Sequence, residues 1–312
     1  MKIVVNGVDG NFGSTVVNEL EKLVDKSSLV LTAPKEEVLK PYRKKGFNVA
    51  VANYNNPDQL VEVFSQADKV LIISMPFVGE KRRKAHKNAV EACEKAGVKQ
   101  VIYTSVISAS NPFNPSVENK DHAYTEAIIQ NTSLDYIILR NSLFVEAFTS
   151  DYLRAVNANE KTIAKNMGEG RVWFISRKDA AYACACALSN QLIHRQILNI
   201  NGLEPLSYQD FLTIGNQATG NKITYTRLTD EELYEYFDSI NVPRTTDGDF
   251  SQSPIQATSE GMVTFGTAVT KGYLDVASSD FVSLCGRKPL SIKYIFEHVE
   301  DYLLGDRHPT EE

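Results

Sequence analysis

Two stretches of this chain hold residue types whose spacing could support chemistry. His122 and Glu126 stand four apart and so share a helix face, with Tyr124 between them on another side. An imidazole with an unperturbed pKa of about 6.5 suits proton relay near neutrality, which makes His122 a candidate acid or base at a pocket edge. The competing expectation is a partly exposed helix residue paired with Glu126, and Tyr124 is either a pocket wall or a core aromatic. A tyrosine followed by lysine four residues later would be a stronger signal, because the ammonium lowers the phenol pKa and lets it protonate a nascent alkoxide. None of the 14 tyrosines has that lysine.

The second stretch is Gly7-Val8-Asp9-Gly10-Asn11-Phe12-Gly13, with glycines three apart between an apolar run and a helical pattern. Gly7 permits a tight turn, Gly10 lets the backbone approach a pyrophosphate, Gly13 allows close helix–strand packing, and the helix N-terminus offers free N–H groups to an anion. Gly7, Asp9, Gly10, Asn11, Phe12 and Gly13 are therefore the candidate dinucleotide-binding residues of this corner. Further on, "LVLTAPKEE" places Ala33 and Pro34 at a strand end and Lys35 just beyond. No acid sits at that tip to grip ribose hydroxyls, and Lys35 is near enough to meet a 2'-phosphate, so NADP(H) is the preferred cofactor and NAD(H) the alternative.

The elements that must position these residues are readable in the first half. Apolar runs "KIVVNG", "SLVLTAP", "FNVAVANY", "KVLIISM", "KQVIYTS" and "LDYIILRN" alternate with amphipathic stretches such as Val16, Val17, Leu20, Leu23 and Val24. Continuous Val, Ile and Leu suit strands buried on both faces, which predicts an α/β, Rossmann-like doubly wound parallel sheet. Residues 1–150 form the expected dinucleotide-binding domain and 151–312 a smaller C-terminal α/β substrate subdomain whose chain crosses back to the sheet. In that second half we expect a helix over "FVEAFTSDYLRAV", a strand over "RVWFISRKD", a helix over "AAYACACAL", a helix ending at Gly220, and a helix capped by Thr229 with Glu232 three residues on. The polar stretch Thr245 to Gly261 is expected to be a long loop, either disordered or a lid.

A formal charge of −6 over 312 residues provides no broad cationic face for nucleic acid, and no apolar window is long enough for a signal peptide or a membrane span. Cys93, Cys184, Cys186 and Cys285 form no Cys-x-x-Cys pair and are expected to be reduced and mostly buried in a cytoplasmic protein without a metal site. "EKRRKAHK", from Glu80 to Lys87, is either a solvated helix face or a place where Arg82 or Arg83 attracts an anionic acceptor or the cofactor phosphate. Phe144, Phe148 and Tyr152 recur at helical spacing, a stripe that suits a core.

The chain resembles the NmrA-like group of atypical short-chain dehydrogenases, and within it the triphenylmethane reductases and NAD(P)H:quinone reductases. The resemblance rests on "NGVDGNFG", "NYNNPDQLVEVF", "LIISMP", "EACEKAGVKQVIYTS", "HAYTEAIIQNTSLDYIILRNSLF" and "LCGRKPLSIKYIFEHV". It implies that Gly10, Asn11 and Phe12 line the pyrophosphate, and that Asn53 lies near the adenine. It also implies that Ser74, Met75 and Pro76 run along the ribose and nicotinamide, and that Thr104, Ser105, Asn141 and Phe144 face the reacting end. His122, Tyr124 and Ser105 are then the catalytic candidates. The chain departs from the group in having Ala33 where an arginine usually holds the 2'-phosphate, and the uncharged Asn53 where an acid is usual. Glu126 replaces a lysine found in phenylpropanoid reductases and in the redox-sensing branch.

That replacement implies direct hydride transfer to an electron-poor aromatic acceptor, a quinone or cationic dye, whose product needs no strong acid to neutralise an alkoxide. An aromatic-lined pocket for a flat substrate is expected, in a monomer or homodimer. The alternative function is a non-catalytic NAD(P)-binding redox sensor that contacts a partner protein.

Overall fold

The computed structural model describes residues 1–304. Each apolar run of the first half is a strand: β1 (Ile3–Val5), β2 (Leu29–Ala33), β3 (Asn48–Val51), β4 (Lys69–Ile72), β5 (Gln100–Val106) and β6 (Asp135–Asn141). Between them lie α1 (Asn11–Leu20), α2 (Glu36–Lys44), α3 (Pro57–Phe64), α4 (Glu80–Lys95) and α5 (Val117–Gln130). After β6 come α6 (Val145–Asn157), β7 (Thr162–Lys165), β8 (Arg171–Val172), α7 (Arg177–Ser189), β9 (Gln196–Ile200), β10 (Leu206–Ser207), α8 (Tyr208–Thr219), β11 (Thr224–Arg227), α9 (Asp230–Ser239), α10 (Ser259–Thr270), α11 (Asp280–Cys285) and α12 (Ile292–Glu297).

The central sheet has the order β3-β2-β1-β4-β5-β6-β9, and every neighbouring pair in it is parallel. Side chains alternate across a strand, so one set faces each helical layer. Ile3, Val5, Leu29, Leu31, Ile102 and Leu139 meet Val16, Val17 and Leu20 of α1 and Ala181, Cys184 and Leu188 of α7. Val4, Val70, Ile72, Val101, Tyr103 and Ile138 meet Leu60 and Phe64 of α3 and Ala85, Ala89 and Cys93 of α4. Winding reverses between β1 and β4, and open sheets of this kind receive ligands beyond the strand C-termini at that point.

The second half builds a separate aromatic core. Phe148, Tyr152, Phe174, Tyr208, Phe211 and Phe296 pack there with ring centroids 4.9 to 6.0 Å apart. Residue 150 falls inside α6, whose Val145, Phe148, Tyr152 and Ala155 all belong to this second core, while α7 and β9 return to the first. The strand expected over "RVWFISRKD" is short. Only Arg171–Val172 forms a strand, antiparallel with β10; Ile175 makes an isolated parallel bridge with Phe144 through Leu143 and Val145, and Gly202 N–H takes the Trp173 carbonyl. α8 stops at a left-handed Gly220, and Thr229 with Glu232 forms a complete capping box on α9. α10 begins at Ser259, inside the stretch expected to be loop. Among the described residues no helix is long and apolar enough to cross a membrane.

Candidate functional site

The glycine corner lies at the end of β1, and its conformation follows from three backbone contacts. Gly7 takes φ +72, which a side chain would strain, and Gly10 N–H closes the turn on the Gly7 carbonyl at 3.1 Å. A Cβ on Gly13 would stand 2.1 Å from the Gly7 oxygen, so α1 reaches this position against the strand end only as glycine. Neighbours hold the turn still: Val8 N–H donates to the Thr32 carbonyl at 3.1 Å, and the Tyr42 hydroxyl donates to the Val8 carbonyl at 3.0 Å. Asn6 ties three strand ends together by donating to the Leu71 carbonyl at 2.9 Å and accepting from Thr32 Oγ1 at 2.7 Å.

The corner fits a dinucleotide diphosphate. Gly10 is the N-cap of α1 in extended conformation, no acid occupies the first turn, and a Cβ there would meet only the Gly7 oxygen at 3.6 Å. A helix N-terminus so exposed presents unpaired N–H groups and a partial positive charge to an anion. At the end of β6, Asn141 Oδ1 and Ser142 Oγ are buried without a protein partner, a donor–acceptor set that a bound amide or sugar hydroxyl would satisfy.

The structure distributes the other expected cofactor residues unevenly. Phe12 stacks on Phe144 with centroids 5.6 Å apart, and the Arg177 guanidinium lies 6.0 Å from the Phe144 ring. Asn11 Nδ2 and Arg177 Nη1 both donate to the Leu304 carbonyl, at 2.8 and 3.0 Å, so the carboxyl-terminal segment reaches the corner. Ser74 N–H donates to Thr104 Oγ1 at 2.8 Å, which joins the β4 and β5 ends, and Pro76 is exposed beside them. Asn53 is exposed with its Oδ1 spent on Asn55 N–H at 2.8 Å. The Ala33 methyl is packed into the first core, so Pro34 and the exposed Lys35 are the first side chains at the β2 tip that can face a ligand. Asp9 is half-buried.

The catalytic candidates separate. His122 is not paired with Glu126. It is buried, and its Nδ1 lies 2.8 Å from the Tyr103 hydroxyl. Glu126 is instead taken by Arg140 of β6, at 2.8 Å from Nε and 2.5 Å from Nη2, and by the Ser105 hydroxyl, which donates to it at 2.6 Å. The i, i+4 spacing put both residues on the buried face, and a guanidinium across on the sheet outcompetes a neutral imidazole for the carboxylate. Tyr124 is 37% exposed on the far side of α5.

Behind β4 and β5 lies a polar cluster that hydrophobic periodicity did not reveal. His86, fully buried on α4, accepts from Met75 N–H through Nε2 at 3.0 Å, so its proton sits on Nδ1, 2.9 Å from Thr125 Oγ1. Thr125 passes the chain on by donating to the Asp121 carbonyl at 3.0 Å. Burial, with Arg82 nearby, pushes the His86 pKa down to about 3, and burial drives His122 well below the usual histidine value. Both imidazoles are thus neutral near pH 7. His86 had one sequence signal: Arg82, His86, Ala89 and Cys93 continue a single helix stripe.

The basic run does not form an anion funnel. Arg82 is 1% exposed and donates to Glu118 at 3.2 Å, while Arg83 pairs with Asp121 at 3.1 Å, so their charges join α4 to α5. A cavity of about 540 Å³ opens beside them, between Gly79, Lys84, Lys120 and Asp121 and the Thr245–Asp247 stretch, with acids and bases mixed in its wall. The long loop therefore packs on the segment after β4: a Cβ on Gly79 would lie 3.4 Å from Thr246 Oγ1. Of the aromatic stripe, Phe148 and Tyr152 belong to the second core and only Phe144 stays at the site.

Comparison with known proteins bears on the family and the fold. The chain is 24% identical over 260 residues to quinone oxidoreductase 2 of Escherichia coli, covering 83% of this chain and 89% of that protein. It is 23% identical over 295 residues to an NmrA-like family domain-containing oxidoreductase of Aspergillus flavus, covering 93% and 92%. Among solved structures, triphenylmethane reductase of Citrobacter sp. in complex with NADP(H) superposes with a TM-score of 0.83 at 26% identity, over 97% of this chain and 100% of that one. A family model described as NAD(P)H-binding matches residues 7–191, more than half of the sequence, and the chain belongs to that NAD(P)H-binding family.

Proposed function

We propose that this protein is an NADPH-dependent reductase that delivers hydride directly to an electron-poor aromatic acceptor, such as a quinone or a cationic dye. One observation carries the reading: of the three expected proton donors, His122 and Ser105 are already committed and Tyr124 lies exposed on the far side of α5. The Ser105 hydroxyl is spent on Glu126, Tyr103 and His122 hydrogen-bond one another inside the core, and no tyrosine is followed by a lysine four residues on. An acceptor that takes hydride to give a stable product needs none of them. When bound, the reduced nicotinamide supplies the hydride.

The chain's own residues bind and orient. Gly7 to Gly13 hold the diphosphate with backbone N–H groups, and Lys35 favours a 2'-phosphate. His86 fixes the Met75 segment through the Met75 N–H, and Phe12 stacked on Phe144 forms an apolar wall near the corner. The names of the quinone and triphenylmethane relatives support the acceptor class.

The test is loss of reduced-nicotinamide absorbance with purified protein over a panel of quinones and cationic dyes. Turnover with NADPH and at least one such acceptor is expected. Tight binding of NADPH with no turnover across the panel would favour the redox-sensor reading instead.

A further inference from the structure

The four cysteines occupy different environments. Cys93 and Cys184 are fully buried, and burial pushes both thiols up. Cys186, in the last turn of α7, is half-buried, and α7 packs on α11, whose last residue is Cys285. Arg287, two residues past Cys285, lies against the ring of Tyr182, one helical turn before Cys186, which brings the end of α11 to the last turn of α7; Cys285 and Tyr182 are the neighbours that favour a charged Cys186 sulfur.

A fixed cation completes the cluster. The Arg287 guanidinium lies 4.5 Å from the Tyr182 ring centroid and 5.3 Å from that of Phe281, and its Nη1 is 2.7 Å from the fully buried Asp179 carboxylate. Glu19 of α1 is the opposing charge. The balance favours the thiolate: Cys285, then Tyr182 and Arg287, hold the Cys186 thiol below its usual value against the cost of burial.

We propose that Cys186 and Cys285 form a peroxide-reactive thiol pair that closes into an intramolecular disulfide, stapling the last turn of α7 to the end of α11. The Cys186 thiolate attacks one oxygen of hydrogen peroxide, the O–O bond breaks, and the departing hydroxide takes a proton to become water, leaving a sulfenic acid. The Cys285 thiol, deprotonating as it attacks the Cys186 sulfur, breaks the S–O bond, and a second water leaves. Two thiols and one peroxide give one disulfide and two waters. Cys186, the less buried of the two, is the sulfur that peroxide reaches first, and Cys285, across the α7–α11 contact, is the resolving partner. The site is independent of the dinucleotide corner, and the staple lies beside Gly286 and Arg287, which begin the segment anchored on Asp179.

The experiment exposes the full-length folded protein briefly to hydrogen peroxide, then unfolds and alkylates it. Wild type is expected to lose two alkylatable thiols, to yield one linked peptide pair joining Cys186 and Cys285 on non-reducing digestion, and to recover both thiols with dithiothreitol. Cys285→Ser should instead accumulate a dimedone-trapped sulfenic acid at Cys186, and Cys186→Ser should lose no thiol. The proposal is overturned if wild type keeps all four thiols, if Cys186 is oxidised while Cys285 stays alkylatable, or if the link joins two copies of the chain. The wild-type peptide map decides the matter even where a serine variant folds poorly.

Discussion

The glycine corner and the histidine cluster lie at the same end of the sheet and are built on opposite principles. At the corner the backbone does the work: side chains are absent where Gly10 and Gly13 stand, and the α1 N–H groups are left for a ligand. Behind β4 and β5, Met75, His86, Thr125, Tyr103 and His122 bond to one another. The contrast teaches that titratable residues near a site are not thereby its chemistry. Binding capacity resides in groups the fold leaves unpaired, whereas the paired imidazoles hold the floor in place.

The largest expected effect tests the closed half. His86 has a folded pKa of about 3 against about 6.5 unfolded, so the unfolded state binds more protons below that value. Stability is fully present above pH 6.5 and falls as pH drops toward 3, by roughly 4 to 5 kcal/mol from this residue alone. Acid unfolding followed by circular dichroism should show that slope, and His86→Gln should flatten it. Because both histidines stay neutral, the rate profile between about pH 5 and 8 should carry no histidine inflection, and finding one would return His122 to the catalytic list.

Next comes the buried ion pair. Glu126→Ala leaves the Arg140 guanidinium uncompensated, which should cost about 3 to 5 kcal/mol in urea unfolding. A neutral result would mean that Glu126 does not hold α5 to the sheet.

The open half is tested by a pair of glycine variants. Gly10→Val should raise the dinucleotide Kd by about 100-fold or more, equivalent to about 2.7 kcal/mol, while melting stays close to wild type, because a Cβ added there meets only the Gly7 oxygen, at 3.6 Å. Gly13→Ala should destabilise the fold itself by about 3 kcal/mol through its clash with the Gly7 carbonyl. If titration calorimetry finds normal affinity in the Gly10 variant, the diphosphate lies elsewhere. The smallest effect concerns cofactor choice: Lys35→Ala should weaken NADPH by about 3- to 10-fold relative to NADH. Ala33→Arg is a poor substitute, since it would force a guanidinium into the core.

Legibility followed the source of each signal. The six strands, the corner and the Thr229 cap were readable because they rest on local pattern: apolar periodicity, glycine spacing and side-chain capping within a few residues. α5 was opaque. Its buried residues Asn119, Asp121, His122, Thr125 and Glu126 are polar, so no apolar stripe marked the inward face. The role of "LCGRKPLS" was equally hidden until Arg287 and Leu290 were found on Asp179, a residue remote in sequence.

The sequence by itself determined the doubly wound sheet and the glycine corner, because glycine torsions, helix N-termini and strand hydrophobicity are properties of short segments. Only the tertiary structure decided which partner each polar side chain takes: Arg140 rather than His122 for Glu126, Met75 for His86, Glu118 for Arg82. Hydrogen bonds and ion pairs act over a few ångströms, and the residues that come that close are set by how sheet, helices and carboxyl-terminal segment pack.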